Sequence, residues 1–546
     1  MSLHKPFGHL PCSSRVMNLG DLLTQSAQRL PEHPALIWGD KRWNWRELNR
    51  RVDNVARGLA LGGVAKGDRI LVQSRNCNQM FESMFACFKL GAIWVPANFR
   101  LTPEDIGKLA EHAGVVAIIS QPEFCDHVTE VKKRVPALKA LVSIGGELDG
   151  AVCFDSLAED KNQTSFISAS VEYDDPLWFF YTSGTTGNPK AAVLTHGQMA
   201  FVVTNHLADL LPGTTEDDRS LVVAPLSHGA GIHQLTQVAR GAASILLTGG
   251  GMDPDEVWRL VEEYSVTNMF TVPSIVKILT EHQAVDVYDH SSLRYVIYAG
   301  APMYREDQKT ALAKLGPVLV QYFGLGEVTG NITVLPVNLH SVEDGGPLRV
   351  GTCGYARTGM QVAIMNEGGN ILPAHETGEI CVIGLAVFAG YFNNNEANKQ
   401  AFRNGWFRTG DLGYLDDNGF LFITGRTSDM YISGGSNIYP REIEEKILCH
   451  PQVDEVALVG MPDAKWGEVG VAVVVRTSDS FLNETELNSW MDGKIARYKL
   501  PKHIVFRDEL PKSGYGKVAK KRIREILNKS GWSLGEAGDD PTAGNL

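Results

Sequence analysis

Along the amino-terminal part of this chain, apolar positions switch repeatedly between helical and strand spacing. Leu19, Leu22, Leu23, Ala27 and Leu30 fall on one helical face. Asn44, with Glu47 three residues on, reads as the N-cap of a second helix. That helix turns Leu48, Val52, Val55 and Leu59 inward and stops at Gly62-Gly63. Ile70-Leu71-Val72 is short and apolar, as a buried strand is. Met80 to Leu90 reads as a helix ended by Gly91, and Ala92-Ile93-Trp94-Val95 as another strand. Thr102-Pro103-Glu104-Asp105 opens a helix with proline in its first turn, and Val115 to Ile119 is again a strand. Such alternation predicts an α/β domain with largely parallel sheets.

The pattern continues through Leu177-Trp178-Phe179-Phe180, Leu221-Val222-Val223-Ala224, Ala243 to Leu247 and Tyr295 to Tyr298, with helical spacing from about Thr195. From about Val350 short strands, glycines and turns take over, a β-rich section. The character changes again near Gly425-Arg426. Beyond it, a helix over Pro440–Leu448, strands at Val456–Val459 and Val471–Val475, and a helix around Leu487–Met491 follow in turn. With a strand at Ile504–Phe506 and a basic helix from Val518, they compose an α+β module of roughly 100 residues. Residues 531–546 are small, polar and acidic and read as a flexible tail. The expected organisation is a large domain over 1–427, a small domain over 428–530 and the tail over 531–546. At 546 residues the chain exceeds a single core, in keeping with that division.

Composition acts mainly by exclusion. A hydrophobic share of 44% and a charged share of 21% describe an ordinary globular protein. The net charge of −12 argues against a nucleic-acid partner. Eight cysteines lie scattered without a C-x-x-C pair, which fits reduced thiols better than disulfides or a zinc site. No apolar run approaches the roughly 20 residues that span a bilayer, and the start lacks a signal-peptide core. A cytoplasmic protein without a membrane span is expected.

The chemistry concentrates in Tyr181-Thr182-Ser183-Gly184-Thr185-Thr186-Gly187-Asn188-Pro189-Lys190. An apolar strand here empties into glycines, hydroxyls and one lysine. Glycines bring backbone N–H groups close, hydroxyls donate, and the lysine adds a charge, which together suit a phosphate chain. The spacing is not that of the common P-loop, because Asn188 and Pro189 separate Gly187 from Lys190. The stretch resembles instead the phosphate loop of the adenylate-forming superfamily, which contains acyl-CoA synthetases, luciferases and the adenylation domains of peptide synthetases. That resemblance assigns Thr182, Ser183, Gly184, Thr185, Thr186, Gly187 and Lys190 to ATP, and Thr185 also to the metal and to catalysis.

Four further segments join it. Gln321-Tyr322-Phe323-Gly324-Leu325-Gly326-Glu327 pairs an aromatic that can lie flat on a purine with a carboxylate that can hold Mg²⁺. The superfamily reads aromatic-Gly-x-Thr-Glu here. By resemblance Phe323 stacks on adenine, Gly324 and Ala301 lie at the nucleotide, and Glu327 binds the metal, while Gly326 replaces the usual threonine. Gly405 to Gly413 resembles the ribose motif, which assigns Asp411 to the ribose hydroxyls. Gly425 to Pro440 resembles the interdomain hinge and the glycine loop of the pantetheine tunnel. It places Arg426 beside the nucleotide, Ser428 at the hinge where Asp or Lys is usual, and Gly434-Gly435 at CoA. Ser436 stands where glutamate is usual. Leu510 to Lys517 resembles the Gly-Lys motif, whose lysine, here Lys517, bridges the α-phosphate and the substrate carboxylate. The likeness runs from about Leu19 to Leu527.

A large adenylate-forming α/β domain, with a β-rich section, and a small mobile α+β domain are thereby implied. So are ATP, Mg²⁺ and coenzyme A as reactants. Leu226-Ser227-His228 offers no carboxylate for an α-ammonium, so an amino acid substrate is not expected. Gly434-Gly435 suits CoA, and an acyl-CoA synthetase is the best reading. Delivery of the acyl group to a carrier protein, a luciferase-like oxygenase and a non-catalytic nucleotide-binding homologue are the alternatives. His228, Thr271, Val272, Ala299, Gly300 and Gly324 are expected to line the acyl pocket, with no arginine among them for a second carboxylate. Acetate-type members carry tryptophan where Gly324 stands, so a deep pocket is expected here. The acid would be monocarboxylic, medium- to long-chain aliphatic or aromatic. A homodimer stays open.

Overall fold

The computed structural model describes residues 16–160, 164–182, 190–249, 251–301, 303–344, 349–426, 428–434, 436–478, 480–512 and 518–529. Contacts divide the chain into two compact units. One comprises Met1–Met303, Asp307–Val362 and Val382–Arg408; the other comprises Tyr304–Glu306, Ala363–Cys381 and Thr409–Leu546.

The larger unit holds two sheets. Seven strands run in the order Val152–Cys153, Ala140–Ser143, Val115–Ser120, Arg69–Gln73, Ile93–Pro96, Pro176–Thr182 and Lys190–Thr195. All neighbours in this sheet are parallel except the last two. The second sheet has nine strands. Its centre is Leu319–Phe323, Tyr295–Tyr298, Asn268–Thr271, Arg219–Val222, Ala243–Leu246 and Pro34–Trp38, all parallel. Antiparallel strands close both edges, Thr333–Leu335 with Tyr355–Ala356 on one side and Lys41–Asn44 on the other. Helices cover the sheets and bury the apolar runs, so that Leu221, Ile245, Met269, Val296 and Leu319 share one core with Trp258.

The expected signals operate as read. Asn44 and Glu47 form a reciprocal capping box on the helix Trp45–Leu61, and Thr102 with Asp105 does the same on Pro103–Ala113. Gly91 ends Asn78–Leu90 in the left-handed conformation that only glycine adopts cheaply. Several strands go beyond the sequence reading, three of them at sheet edges or beside the phosphate stretch. Pro34–Trp38 turns back through Gly39 into Lys41–Asn44, and Lys190–Thr195 precedes the helix that Thr195 caps. Lys41–Asn44 and Lys190–Thr195 each pair antiparallel with the strand before them.

In the smaller unit Val453–Asp463 and Gly467–Arg476 form a long hairpin, with His503–Arg507 added in parallel. Alternate residues face opposite ways. Val456, Leu458, Ala472 and Val474 pack with the helices Pro440–Leu448 and Glu484–Met491, whereas Ala457, Val459, Val471 and Val473 pack with Ile523 and Leu527 of Lys520–Lys529. Both faces are therefore buried, which explains the near-continuous apolar runs. The β-rich section beyond Val350 is a five-stranded sheet of Met360–Met365, Gly378–Gly384, Trp406–Leu415, Phe402–Arg403 and Leu421–Arg426.

Candidate active site

The parallel strands of the nine-stranded sheet end on one edge, where open α/β sheets bind ligands. Thr271 closes Asn268–Thr271, and Val272 caps the helix Pro273–Glu281. Ala299 follows Tyr295–Tyr298 and donates its N–H to the Thr271 carbonyl at 3.3 Å. Gly300 takes φ +84°, and Ala301 is half-buried. Phe323 ends Leu319–Phe323 and is half-buried. His228 caps the helix Gly229–Arg240, its ring 5.0 Å from that of Phe180 and its Nδ1 3.1 Å from Ser227 Oγ. Chain topology thus brings the acyl-pocket candidates and the adenine candidate to one end of one sheet.

Glu327 sits in the 3-10 turn Gly326–Val328 and is 6% exposed. Tyr391 donates its hydroxyl to Glu327 Oε1 at 2.9 Å, and the N–H of Phe388 donates to the Glu327 carbonyl at 2.8 Å. Burial first, and the Glu327 carboxylate second, push the Tyr391 phenol well above its ordinary range, so it stays a donor. Among the described residues Oε2 has no protein donor. One oxygen held and one presented is a hard-oxygen donor suited to Mg²⁺, which binds through one or two carboxylates with phosphate oxygens completing its shell.

Lys190 stands on the same tyrosine. Its Nζ lies 5.7 Å from the Tyr391 ring centroid, on the ring face. The segment around Tyr391 runs beside Lys190–Thr195 and bridges to it at Ala192: Val193 N–H donates to Gly390 O, Ala389 N–H to Val193 O, and Phe392 N–H to Ala191 O. Asn398 clamps the Tyr391 backbone from both sides, accepting its N–H at 2.6 Å and donating to its carbonyl at 3.0 Å. Thr182 and Lys190 are register partners, so the two flanks of the phosphate stretch are paired. Ser183, Gly184, Thr185, Thr186 and Gly187 lie outside the described residues, as do Gly435 and Lys517. Sequence reasoning gave Tyr391 no role. Its signal was Ala389-Gly390-Tyr391-Phe392, a glycine at φ +124° ahead of two aromatics.

Gly324 has a reason other than the one expected. Its φ is not positive, and a Cβ built there would overlap the Gly330 backbone, standing 2.8 Å from the Gly330 carbonyl oxygen. With the backbone as it stands, position 324 admits no side chain, so the comparison with a tryptophan there says nothing about pocket depth. Glycine is needed for the close approach of two backbone segments.

In the smaller unit Asp411 and Arg426 are register partners on antiparallel strands, and Arg426 Nε donates to Asp411 Oδ1 at 2.8 Å. The Asp411 side chain is 5% exposed and that of Arg426 54%. The arginine thus holds a buried carboxylate in one orientation while its own outer face meets solvent. Ser428 is exposed, its carbonyl 3.5 Å from Arg524 Nη1. Gly434 turns Tyr431–Ser433 into Ser436–Ile438 at φ +57°, and its N–H donates to the Trp466 carbonyl at 2.9 Å. A Cβ there would stand 2.8 Å from the Trp466 ring, so this turn needs glycine for space as well as for φ. Among the described residues no helix is long and apolar enough to cross a membrane.

The AMP-binding enzyme family matches residues 23–392, and the AMP-binding enzyme C-terminal domain matches residues 442–517. A feruloyl-CoA synthase of Amycolatopsis sp is 35% identical over 516 residues, covering 93% of this chain and 99% of that protein. An indoleacetate–CoA ligase of Aromatoleum aromaticum is 31% identical, covering 94% and 98%. The ATP-bound MatB structure from Rhodopseudomonas palustris superposes with a TM-score of 0.84 at 28% identity, covering 94% of this chain and all of that one. The chain belongs to the AMP-binding enzyme family and, within the adenylate-forming superfamily, stands among the acyl-CoA ligases.

Proposed function

We propose that this protein activates a monocarboxylic acid, medium- to long-chain or aromatic, with ATP and transfers the acyl group to coenzyme A. The observation that carries the reading is the Lys190–Tyr391–Glu327 assembly, which sets a phosphate-directed cation and a metal-directed carboxylate on one rigid tyrosine. The relatives' names, feruloyl-CoA synthase and indoleacetate–CoA ligase, support CoA as the acceptor over a carrier protein.

In the first step a carboxylate oxygen of the acid forms a bond to the α-phosphorus of ATP. The α–β anhydride bond breaks, and pyrophosphate leaves. Phe323 faces the adenine, Asp411 takes the ribose hydroxyls and Arg426 holds Asp411 in place. Lys517 lies between the α-phosphate and the acid, and Lys190 with the phosphate stretch steadies the outgoing pyrophosphate. Glu327 and Thr185 would hold Mg²⁺, whose charge offsets that of the phosphates. Position and charge neutralisation supply the catalysis. In the second step the CoA sulfur attacks the acyl carbon of the adenylate, AMP leaves, and the thiol proton passes to solvent. For this the small domain, 428–530, turns about Ser428, so that Lys517 withdraws and Gly434-Gly435 arrive at the site.

Acid-dependent exchange of labelled pyrophosphate into ATP tests the reading. We expect exchange with a suitable acid in the absence of CoA. Exchange that runs without acid, or needs CoA, would count against adenylate formation.

A further inference from the structure

We infer that the acid carries a planar aromatic ring with a hydrogen-bonding substituent at its far end, bound by the hydroxyl of Tyr322; this rests on the acid–CoA ligase reading above. Tyr322 precedes Phe323 on Leu319–Phe323, so its side chain leaves the opposite face of the strand. Its ring stacks on Phe270, with centroids 5.8 Å apart and planes at 13°, and Phe270 directly precedes Thr271. Two glycines make room for the phenol. A Cβ on Gly330 would stand 2.9 Å from Tyr322 Cζ, and one on Gly229 would stand 3.4 Å from the hydroxyl and 2.7 Å from Phe270 Cζ. The tip of Tyr322 therefore ends at the start of Gly229–Arg240, next to His228. That is the end of the sheet at which chain topology places the acyl-pocket candidates.

Three properties of this phenol point to a ligand. It is 8% exposed, as is Phe270, in a neighbourhood where Thr271 is fully buried. Among the described residues its hydroxyl has no hydrogen-bond partner. The hydroxyl oxygen is not sealed from solvent, so a ligand group that pairs with it takes the place of water, whereas an alkyl tail would strip it of any partner. The ring is also fixed from behind. Arg357 lies with its guanidinium carbon 6.0 Å from the ring centroid, its Nη2 3.3 Å from His206 Nδ1 and its Nε 3.6 Å from Asp209 Oδ2. Burial pushes the Tyr322 phenol above its ordinary range, so it remains an O–H group at every working pH. The parallel Phe270–Tyr322 pair offers a flat apolar wall, which suits a ring better than a flexible chain.

The test compares kcat/KM for 4-hydroxycinnamate, cinnamate and octanoate in wild type and Tyr322→Phe, reading AMP release in the presence of CoA. Wild type should favour the hydroxylated acid over cinnamate by about ten- to a hundred-fold, and Tyr322→Phe should shrink that ratio to within about three-fold. Circular dichroism confirms the variant's fold; if it does not fold, the wild-type ratio decides alone. A wild-type ratio of one or less, or a ratio unchanged in Tyr322→Phe, would overturn the inference. So would a preference for octanoate over both aryl acids, which would leave acid–CoA ligation itself standing. Absence of turnover with every carboxylic acid tried would instead remove the reading on which the inference rests.

Discussion

Replacing Tyr391 by phenylalanine isolates the contact on which the site geometry turns. The ring stays, and with it the edge contact to Phe388 at 4.8 Å and the platform beneath Lys190. Only the hydroxyl that donates to Glu327 Oε1 at 2.9 Å is removed. A hydrogen bond to an ionised carboxylate is worth about 1.5–3 kcal/mol, and Glu327 is too deeply buried for water to replace the donor freely. That range converts to roughly a ten- to 150-fold effect. Because Glu327 is assigned to the metal, the loss should appear as a raised Mg²⁺ requirement in acid-dependent pyrophosphate exchange. The KM for the acid should change little. Thioester formation from preformed acyl-adenylate should be nearly normal, since pyrophosphate and its counter-ion have already left. Direct titration of Mn²⁺–ATP binding gives a second readout. An unchanged metal titration, or equal losses in both half-reactions, would refute the assignment of Glu327 and the role of Tyr391 together.

Three other outcomes follow from the same structure. Lys517→Ala should abolish adenylate formation, by on the order of 100-fold or more, while sparing thioester formation from added acyl-adenylate; equal damage to both steps would contradict its placement at the α-phosphate. Gly324→Ala should destabilise the protein by about 1–3 kcal/mol, because its Cβ meets the Gly330 backbone, and an unchanged urea midpoint would show that the two segments separate easily. Stability should also fall as pH drops below neutrality. Burial holds His196 and His233 at about 4, so the unfolded chain binds more protons between there and the ordinary imidazole value. At pH 5 each costs roughly 2 kcal/mol relative to pH 8, read as a lower melting temperature. A melting temperature flat from pH 8 to 5 would contradict neutral burial of these rings.

What the sequence disclosed and what it withheld differ in range. Caps such as Asn44 with Glu47 are local, and the parallel strands carry long apolar runs because both faces of the sheets are covered. Motif residues such as Glu327, Asp411 and Lys190 were singled out because each stands in a short segment of residue types suited to phosphate, metal or ribose. Tyr391 was hidden because it meets Glu327 across 64 positions, through a pairing with Lys190–Thr195 that periodicity does not show. The Arg357–His206 contact joins residues 151 positions apart, and nothing near either one announces it. Gly324 was misread for a related reason. Its neighbour in space is the Gly330 backbone, beyond the turn that carries Glu327, and its glycine serves that approach rather than an open channel.

The account's central claim is the chemistry itself, and product analysis on the wild-type chain tests it most directly. With acid, Mg²⁺–ATP and CoA supplied, mass spectrometry should find acyl-CoA, AMP and pyrophosphate in equal amounts, with no ADP. ADP and phosphate as products, or AMP release without any thioester, would contradict it.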